Sequence, residues 1–238
     1  MTTTDTLFQG RLKILQIEKG YRFSIDAVIL AHHIRLKDTD VAVDLGTGCG
    51  IIPLILAHQS PSARLYGIEI QKDLAELASR NVQVNHMEDR ITIAHADMKD
   101  LASYLEPGVA DVVFSNPPYR KLLSGRISPE PERAVARHEI KASLSDVVSV
   151  AEKLLKPSGR LVVIYPAERA ADLIVKMRAF KLEPKRLRLV HSRQRSEAEL
   201  IVAEGLKHGK PGVKVEPPLI IHKTDGSYTD EAKEMIGQ

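Results

Sequence analysis

Cysteine is scarce in this sequence of 238 residues, and its first stretch has no long apolar run. The single cysteine, Cys49, cannot form a disulfide within the chain, and no spacing of paired cysteines or histidines indicates zinc. We therefore expect no metal site. The stretch from Met1 to Gly20 carries scattered charges, which is typical neither of a signal peptide nor of a membrane span. We expect a cytoplasmic protein that does not bind membranes.

The overall charge balance says little about partners. The chain has 34 basic and 31 acidic residues, and its 43% hydrophobic and 27% charged residues are those of one ordinary globular domain. One segment, from Lys176 to Arg195, is strongly basic and has a single acidic residue, Glu183. We call its basic residues the basic cluster: Lys176, Arg178, Lys181, Lys185, Arg186, Arg188, Arg193 and Arg195. Taken alone, the cluster indicates a solvated helix face and an edge strand. A phosphate-binding surface needs support from an independent motif.

Apolar, β-branched runs alternate with helical segments along the chain, a pattern that predicts a mostly parallel sheet with helices on both faces. The predicted strands are Val41–Leu45, Arg64–Ile70, Ile91–His95, Asp111–Phe114, Arg160–Tyr165, Arg186–His191 and Glu199–Glu204. The predicted helices are Ile51–Gln59, Lys72–Asn85, Leu144–Leu155 and Glu168–Phe180. The link between the last two strands is too short for a crossover helix, which predicts an antiparallel hairpin closing a sheet of seven strands.

The sequence divides into three segments around this pattern. Residues 1–38 form a lead-in in which Ser24 can cap a helix running to about Ile34, so we expect this segment to be helical. Residues 39–206 hold the predicted sheet. Residues 207–238 are rich in glycine and proline, and we expect an extended or mobile extension.

A glycine-rich turn runs from Asp44 to Gly50 at the end of the first strand, and we call it the glycine loop. An open α/β sheet binds its ligand at this place, and glycines such as Gly46 and Gly48 let the backbone approach the ligand closely. Glu69 ends the second strand, where a carboxylate can accept both hydroxyl hydrogens of a ribose. Asp97 follows the third strand, where it can accept a hydrogen bond from an adenine amino group. These residues predict a nucleotide site.

Two types of cofactor fit a glycine loop that is followed by an acidic residue. A nicotinamide dinucleotide requires a third glycine at position 51, where this sequence has Ile51, and its pyrophosphate would be repelled by Asp44. S-adenosylmethionine is cationic and has no pyrophosphate, and it also suits the positions of Glu69 and Asp97. The residues favour S-adenosylmethionine, with dinucleotide binding as the alternative.

The tetrapeptide Asn116-Pro117-Pro118-Tyr119 follows the fourth strand, at the same carboxyl edge of the sheet as the glycine loop. An amino group on an aromatic ring is a poor nucleophile because its lone pair is delocalised, and acceptors at both N–H groups return electron density to the nitrogen. The side-chain oxygen of Asn116 and the backbone carbonyl of Pro117 can be these acceptors, since consecutive prolines fix the direction of that carbonyl. The tetrapeptide therefore predicts transfer to a planar amino group.

Tyr119 adds a flat face on which a base can stack, a contact worth roughly 1 to 3 kcal/mol per base. No general base with a shifted pKa is needed, because a methylated ammonium loses its proton to water. The alternative interpretation is a proline-rich turn with a surface tyrosine, which the position of the tetrapeptide disfavours. We predict that Asn116, Pro117 and Tyr119 are catalytic.

With these motifs the sequence resembles the class I, Rossmann-like methyltransferases, and within them the group that methylates amino groups with an Asn-Pro-Pro-Tyr signature. Two further stretches, Gly20 to Ala31 and Ala136 to Glu139, are similar to bacterial proteins of the tRNA(Val) adenine-N6 methyltransferase-like family. The resemblance extends over about Leu15 to Glu204. It implies a Rossmann-like sheet, a methyltransferase domain at residues 39–206, and transfer from S-adenosylmethionine to the N6 amino group of an adenine in RNA, with tRNA as the expected substrate.

The resemblance also implies roles for individual residues. Cofactor contacts are expected at Gly46, Gly48, Glu69, Asp97 and Asn116, and the charge argument above adds Asp44. A loop over the active site is expected from Arg120 to His138, with RNA contacts at Tyr119, Arg120, Lys121 and Arg137; the alternative is a flexible solvated insertion. In this context Arg186 and Arg188 of the basic cluster become predicted contacts to the RNA backbone. We expect a monomer with RNA as its partner.

Three other functions stay open. Methylation of a protein glutamine amide uses the same tetrapeptide, but such enzymes usually carry a helical domain in front, and only residues 1–40 precede the first strand here. Methylation of a guanine amino group in ribosomal RNA is a second alternative. A catalytically idle RNA-binding module is the third, which the intact Asn116 and Tyr119 disfavour.

Overall fold

The computed structural model of the protein describes residues 2–17, 23–117 and 143–237. Within these ranges the strands are β1 (Thr2–Leu7), β2 (Leu12–Ile17), β3 (Val41–Leu45), β4 (Arg64–Glu69), β5 (Ile91–His95), β6 (Ala110–Ser115), β7 (Leu155–Pro166), β8 (Leu182–Arg193), β9 (Ala198–Lys207), β10 (Lys214–Val215) and β11 (Leu219–His222). The helices are α1 (Ile25–His33), α2 (Ile51–Gln59), α3 (Lys72–Val84), α4 (Leu144–Leu154), α5 (Ala170–Ala179) and α6 (Asp230–Ile236). Short 3₁₀ turns lie at Met98–Ser103 and Ala167–Arg169.

The central sheet has the order β10-β8-β9-β7-β6-β3-β4-β5, and β11 also pairs with β8. The strands from β3 to β7 pair with one another in parallel, whereas β9 is antiparallel to both β7 and β8. The predicted mostly parallel sheet with an antiparallel closing hairpin is therefore confirmed. In the described part of the chain this sheet holds nine strands, two more than predicted, because the C-terminal segment adds β10 and β11.

Both faces of the sheet are covered by helices. On β6, Val112 and Phe114 belong to the apolar core shared with α1, α2 and α3, whereas Val113 belongs to the core shared with α4 and α5. Successive residues of a strand point to opposite faces, so a strand buried on both faces is apolar along its whole length. This explains why the sequence shows continuous apolar runs in the parallel strands. No helix in the described ranges is long and apolar enough to cross a bilayer.

The first 38 residues differ from the predicted helical lead-in. The helix after Ser24 is present as α1, although the Ser24 side chain makes no capping hydrogen bond. Before it, β1 and β2 form an antiparallel hairpin in which Leu12 and Ile14 are fully buried. Alternate residues of β2 face the core, so this strand packs its apolar side on α2 and α3 rather than forming a helix.

The C-terminal segment also differs from the prediction of an extended or mobile extension. It runs along the outer side of β8, where β10 and β11 pair in parallel, and it ends in α6. Leu219, Ile221 and Met235 are buried in the core around α1. Burial of these apolar side chains offsets the entropy cost of ordering a segment rich in glycine and proline. The division of the chain at residues 38 and 206 stays a prediction.

Candidate active site

The glycine loop has a backbone that other residues adopt rarely. Gly46, Gly48 and Gly50 have φ angles of +83°, +57° and +81°. A Cβ atom on Gly50 would also lie 3.2 Å from the Cβ of Ala78 on α3. Glycine is therefore required for the conformation at each position, and at Gly50 for the close packing of loop and helix as well.

The end of β4 holds one side of the glycine loop. The backbone N–H groups of Gly46 and Thr47 both donate to the carbonyl oxygen of Ile68, at 2.9 Å. The buried carboxylate of Glu69 accepts the N–H of Gly48 with one oxygen and the N–H of Gln71 with the other, each at 2.9 Å. A carboxylate has about four acceptor positions, so Glu69 keeps capacity for further donors.

Asp44 is fully buried beneath the glycine loop. One carboxylate oxygen accepts the hydroxyl of Thr47 at 2.8 Å, and the other has no hydrogen-bond partner among the described residues. Burial raises the pKa of Asp44 to about 8; the Thr47 bond lowers it and the charge of Glu69 raises it. An unpartnered buried acceptor of this kind fits a donor or cation supplied by a ligand.

Asp97 lies beside Glu69 at the same edge of the sheet, because the N–H of Ala96 donates to the carbonyl of Glu69 at 3.0 Å. The Asp97 carboxylate accepts the N–H of Lys99 at 3.0 Å and lies 3.6 Å from the Lys99 ammonium. These contacts fix the start of the following 3₁₀ turn. The carboxylate thus stays at the predicted ligand edge.

Asn116 is brought level with the glycine loop by the pairing of β3 and β6. Asp44 is opposite Phe114 in this pairing, and the hydroxyl of Ser115 donates to the carbonyl of Leu45 at 2.7 Å. Continuing the register by two residues places Asn116 beside Gly46. Asn116 is half-buried and Pro117 is buried. The structure therefore brings Asn116 and Pro117 to the edge that carries the glycine loop, Glu69 and Asp97.

The family model named methyltransferase small domain matches residues 22–181, more than half of the chain. This chain belongs to the methyltransferase small domain family. A tRNA1(Val) (adenine(37)-N6)-methyltransferase of Porphyromonas gingivalis is 36% identical to it over 194 residues, which are 79% of this chain and 75% of that protein. A protein of the same name from Dyadobacter fermentans is 27% identical over 219 residues, which are 91% and 89% of the two chains.

Solved structures show the same fold. A protein described as a predicted O-methyltransferase, from Agrobacterium tumefaciens, superposes with a TM-score of 0.73 at 21% identity, over 88% of this chain and 94% of that one. The TYW2 protein of M. jannaschii, solved in complex with AdoMet, superposes with a TM-score of 0.59 at 14% identity, over 86% and 84%. At these identities the likeness concerns the fold alone.

Several predicted site residues of this family member fall outside the described residues. They are Tyr119, Arg120, Lys121 and Arg137, together with Pro118 of the tetrapeptide and the rest of the predicted loop to His138. Their roles stay predictions.

Arg186 and Arg188 lie on β8, where they bind acidic residues of the C-terminal segment. Arg186 donates to Glu216 at 2.8 Å, and Arg188 donates to Glu231 at 2.7 Å. Arg188 also contacts the ring of His33 on α1 at 3.2 Å. The sequence did not predict these partners within the chain, which are acidic residues distant in sequence. Contact of the two guanidinium groups with the RNA backbone stays a prediction.

Sequence reasoning missed Asn81, which is fully buried on α3 and contacts the glycine loop. The available signal was an amide on the apolar stripe formed by Leu74, Leu77 and Ala78, where a polar residue requires a specific partner.

Cys49 of the glycine loop is buried, and burial raises its thiol pKa to about 11. The described residues hold no group of acidic, histidine and cysteine side chains suited to a metal ion.

Proposed function

We propose that this protein transfers a methyl group from S-adenosylmethionine to the N6 amino group of an adenine in tRNA. The observation that carries the proposal is the 2.7 Å hydrogen bond from the Ser115 hydroxyl to the Leu45 carbonyl, which joins the strand end before Asn116 and Pro117 to the strand end before the glycine loop. The names of the relatives from Porphyromonas gingivalis and Dyadobacter fermentans support the same reaction and substrate.

The residues at this edge fit S-adenosylmethionine. The unpartnered oxygen of Asp44 suits a cationic ligand, the positive-φ glycines leave room for close approach, and Glu69 and Asp97 supply acceptors for ribose hydroxyls and an adenine amino group. When bound, the cofactor supplies an electrophilic methyl group on a positively charged sulfur. A dinucleotide fits less well, because its pyrophosphate would approach the carboxylate of Glu69 and because Ile51 stands where a dinucleotide site requires a third glycine.

The role of Asn116 and Pro117 is to orient and activate the target amino group. Each N–H of that group needs an acceptor, and the side-chain oxygen of Asn116 and the carbonyl of Pro117 are two acceptors on a strand end held rigidly by β3. Acceptors fixed before the reaction stabilise positive charge that develops on nitrogen and align its lone pair. The proton then leaves to water.

The substrate must present an unpaired or extruded adenine, since the amino group is inaccessible within a stacked helix. We expect Tyr119 to stack on this base.

In the basic cluster, Arg193 ends β8 and Arg195 lies in the β8–β9 turn, and both are exposed. Because β8 runs parallel to β7, this turn lies at the same end of the sheet as Asn116. Lys176 and Lys181 lie at the opposite end of α5 and β8, away from that edge.

Methyl transfer to a panel of substrates tests the proposal. The purified protein is incubated with labelled S-adenosylmethionine and total tRNA, ribosomal RNA, DNA or release factors, and the products are identified by nucleoside and peptide mass spectrometry. We expect N6-methyladenosine in tRNA. Methylguanosine in ribosomal RNA or methylglutamine in a release factor would replace the proposed substrate by one of the two enzymatic alternatives.

The variant Asn116→Ala tests the mechanism. At saturating cofactor, we expect its rate to fall by about 10²-fold or more, the size of effect seen when a preorganised hydrogen-bonding group is removed from an active site. Gln59→Ala is the matched control, because this amide ends α2 at the other end of the sheet and contacts His32. Equal rates for Asn116→Ala and wild type would remove the proposed role of Asn116.

A cytoplasmic location and a monomeric state suit an enzyme acting on tRNA, and both stay predictions. Gel filtration with light scattering determines the second.

A further inference from the structure

The side chain of Asn81 joins three parts of the molecule. Its oxygen accepts the backbone N–H of Leu15 on β2 at 2.7 Å. Its nitrogen donates one hydrogen bond to the carbonyl of Leu15 at 3.0 Å and one to the carbonyl of Cys49 in the glycine loop at 2.9 Å. Both amide hydrogens and the oxygen are therefore used, which explains how a fully buried polar side chain is tolerated on α3.

Asn85, one helical turn later, repeats part of this arrangement. Its oxygen accepts the N–H of Lys13 at 2.9 Å, and its nitrogen donates to the carbonyl of Lys13 at 2.7 Å. Its second amide hydrogen goes to the carbonyl of Asn81 within α3, at 2.8 Å. The two asparagine side chains together hydrogen-bond to the side of β2 that does not pair with β1, as a neighbouring strand would. Of the two, Asn81 also bonds to the glycine loop.

The contact to Cys49 fixes one peptide unit of that loop. The Cys49 carbonyl accepts from Asn81, and the N–H on the other side of the same peptide bond, that of Gly50, donates to the carbonyl of Thr47 at 2.9 Å. The φ angle of Gly50, which adjoins this unit, is positive, and glycine permits rotation of the adjoining peptide plane at little cost. Removing the Asn81 bond leaves this plane held at its N–H alone.

The loop thus has two anchors on opposite sides. Ile68 and Glu69 hold Gly46, Thr47 and Gly48 from β4, and Asn81 holds Cys49 from α3. We propose that Asn81 is a positioning residue for the cofactor, which keeps the glycine loop in its binding conformation and links the amino-terminal hairpin to it. This inference rests on the proposed function in that S-adenosylmethionine is the ligand of the loop.

A pair of matched variants tests the inference. Asn81→Ser and Asn85→Ser each remove two hydrogen bonds to β2, and Asn81→Ser alone also removes the bond to Cys49. Calorimetric titration with S-adenosylmethionine, well below the unfolding temperature, is expected to show about tenfold weaker binding for Asn81→Ser, equivalent to about 1.4 kcal/mol. Asn85→Ser is expected to bind within about twofold of wild type. Both variants should lower the unfolding temperature.

Steady-state kinetics and amide exchange separate positioning from general loss of structure. For Asn81→Ser, KM for the cofactor should rise while KM for tRNA stays unchanged, and hydrogen exchange at the Gly50 amide should accelerate more than in Asn85→Ser. Equal cofactor affinities and equal Gly50 exchange in the two variants would overturn the inference. If wild type does not bind S-adenosylmethionine, the proposed function fails, and the Gly50 exchange rates still decide whether Asn81 fixes the loop.

Discussion

The carboxylate of Glu69 accepts the backbone N–H of Gly48 at 2.9 Å, across the gap between the end of β4 and the glycine loop. Its other oxygen accepts the N–H of Gln71 at the start of α3. A single side chain thereby sets the distance between the glycine loop and the strand end at which we propose that the ribose of the cofactor binds.

Replacing Glu69 should weaken cofactor binding, and alanine should weaken it more than glutamine. Glu69→Ala removes the loop contact and the ribose acceptor, and we expect S-adenosylmethionine to bind about 100-fold more weakly, since bonds to charged groups contribute about 1.5 to 3 kcal/mol each. Glu69→Gln keeps one acceptor and should lose less. Calorimetry measures both affinities. Unchanged binding by Glu69→Ala would exclude this carboxylate from the site.

The stability of the ligand-free protein should depend on the protonation of Asp44. The folded-state pKa is raised to about 8 from 3.8, so the folded protein binds a proton between these values that the unfolded chain releases. Stability contributed by this proton is present below the unfolded pKa and is lost as pH rises to about 8, by up to about 1.4 kcal/mol per pH unit. The variant Asp44→Asn has no titrating group at this position, so its free energy of unfolding should not fall in this way as pH rises.

We therefore expect Asp44→Asn and wild type to have similar unfolding free energies near pH 4, and the variant to be the more stable protein at pH 8. Urea titrations of both proteins at several pH values measure the difference. The same variant should bind S-adenosylmethionine more weakly, because the carboxyl group of Asp44 can release its proton when a cation binds, whereas an amide stays neutral. A constant difference in stability across the pH range would contradict the assigned titration.

The C-terminal segment should contribute measurably to stability. Leu219 on β11 is fully buried, and Leu219→Ala should lower the free energy of unfolding by about 2 to 5 kcal/mol, the usual cost of such a truncation in a core. Val215→Ala on β10 is the control, because Val215 is 66% exposed and its truncation should change stability by less than about 0.5 kcal/mol. A Leu219→Ala protein as stable as the control would mean that the segment packs loosely in solution.

Binding of tRNA should depend on the position of a basic residue rather than on its charge alone. Arg195→Glu places a negative charge in the turn at the active-site end, and we expect about fivefold weaker tRNA binding and a salt dependence shallower by about one phosphate contact. Lys176→Glu makes the same charge change at the far end of α5 and should leave binding unchanged. Equal losses in both variants would indicate a nonspecific effect of net charge.

Much of the fold could be predicted from the sequence because most buried strands are short apolar runs bounded by glycine, proline or charge. Strands Val41–Leu45 and Ile91–His95 and helix Ile51–Gln59 have the predicted bounds. The amino-terminal hairpin was missed because β1 is polar and because Phe8 and Gln9, which begin its turn with positive φ angles, are residue types that seldom adopt them.

The positions of the candidate site residues could be predicted where they follow the ends of apolar strands, and not where they depend on partners distant in sequence. The glycine loop, Glu69, Asp97 and Asn116 do lie at one edge. Asn81 gave little signal because its partners are backbone groups, one of them 66 residues away. The partners of Arg186 and Arg188 within the chain were not predicted for a related reason, since Glu216 and Glu231 are distant from them in sequence.

The C-terminal segment also reduces the number of unpaired backbone groups that the edge of the sheet exposes to other copies of the protein. Without it, the twelve residues of β8 would form the open margin of the sheet, with a row of unpaired amide and carbonyl groups available to a neighbouring molecule. With the C-terminal segment in place, the edge of the sheet consists of β10, with two residues, and β11, with four, and Pro217 and Pro218 lie between them. Proline cannot donate to a ladder, so this border resists strand-to-strand aggregation at high protein concentration.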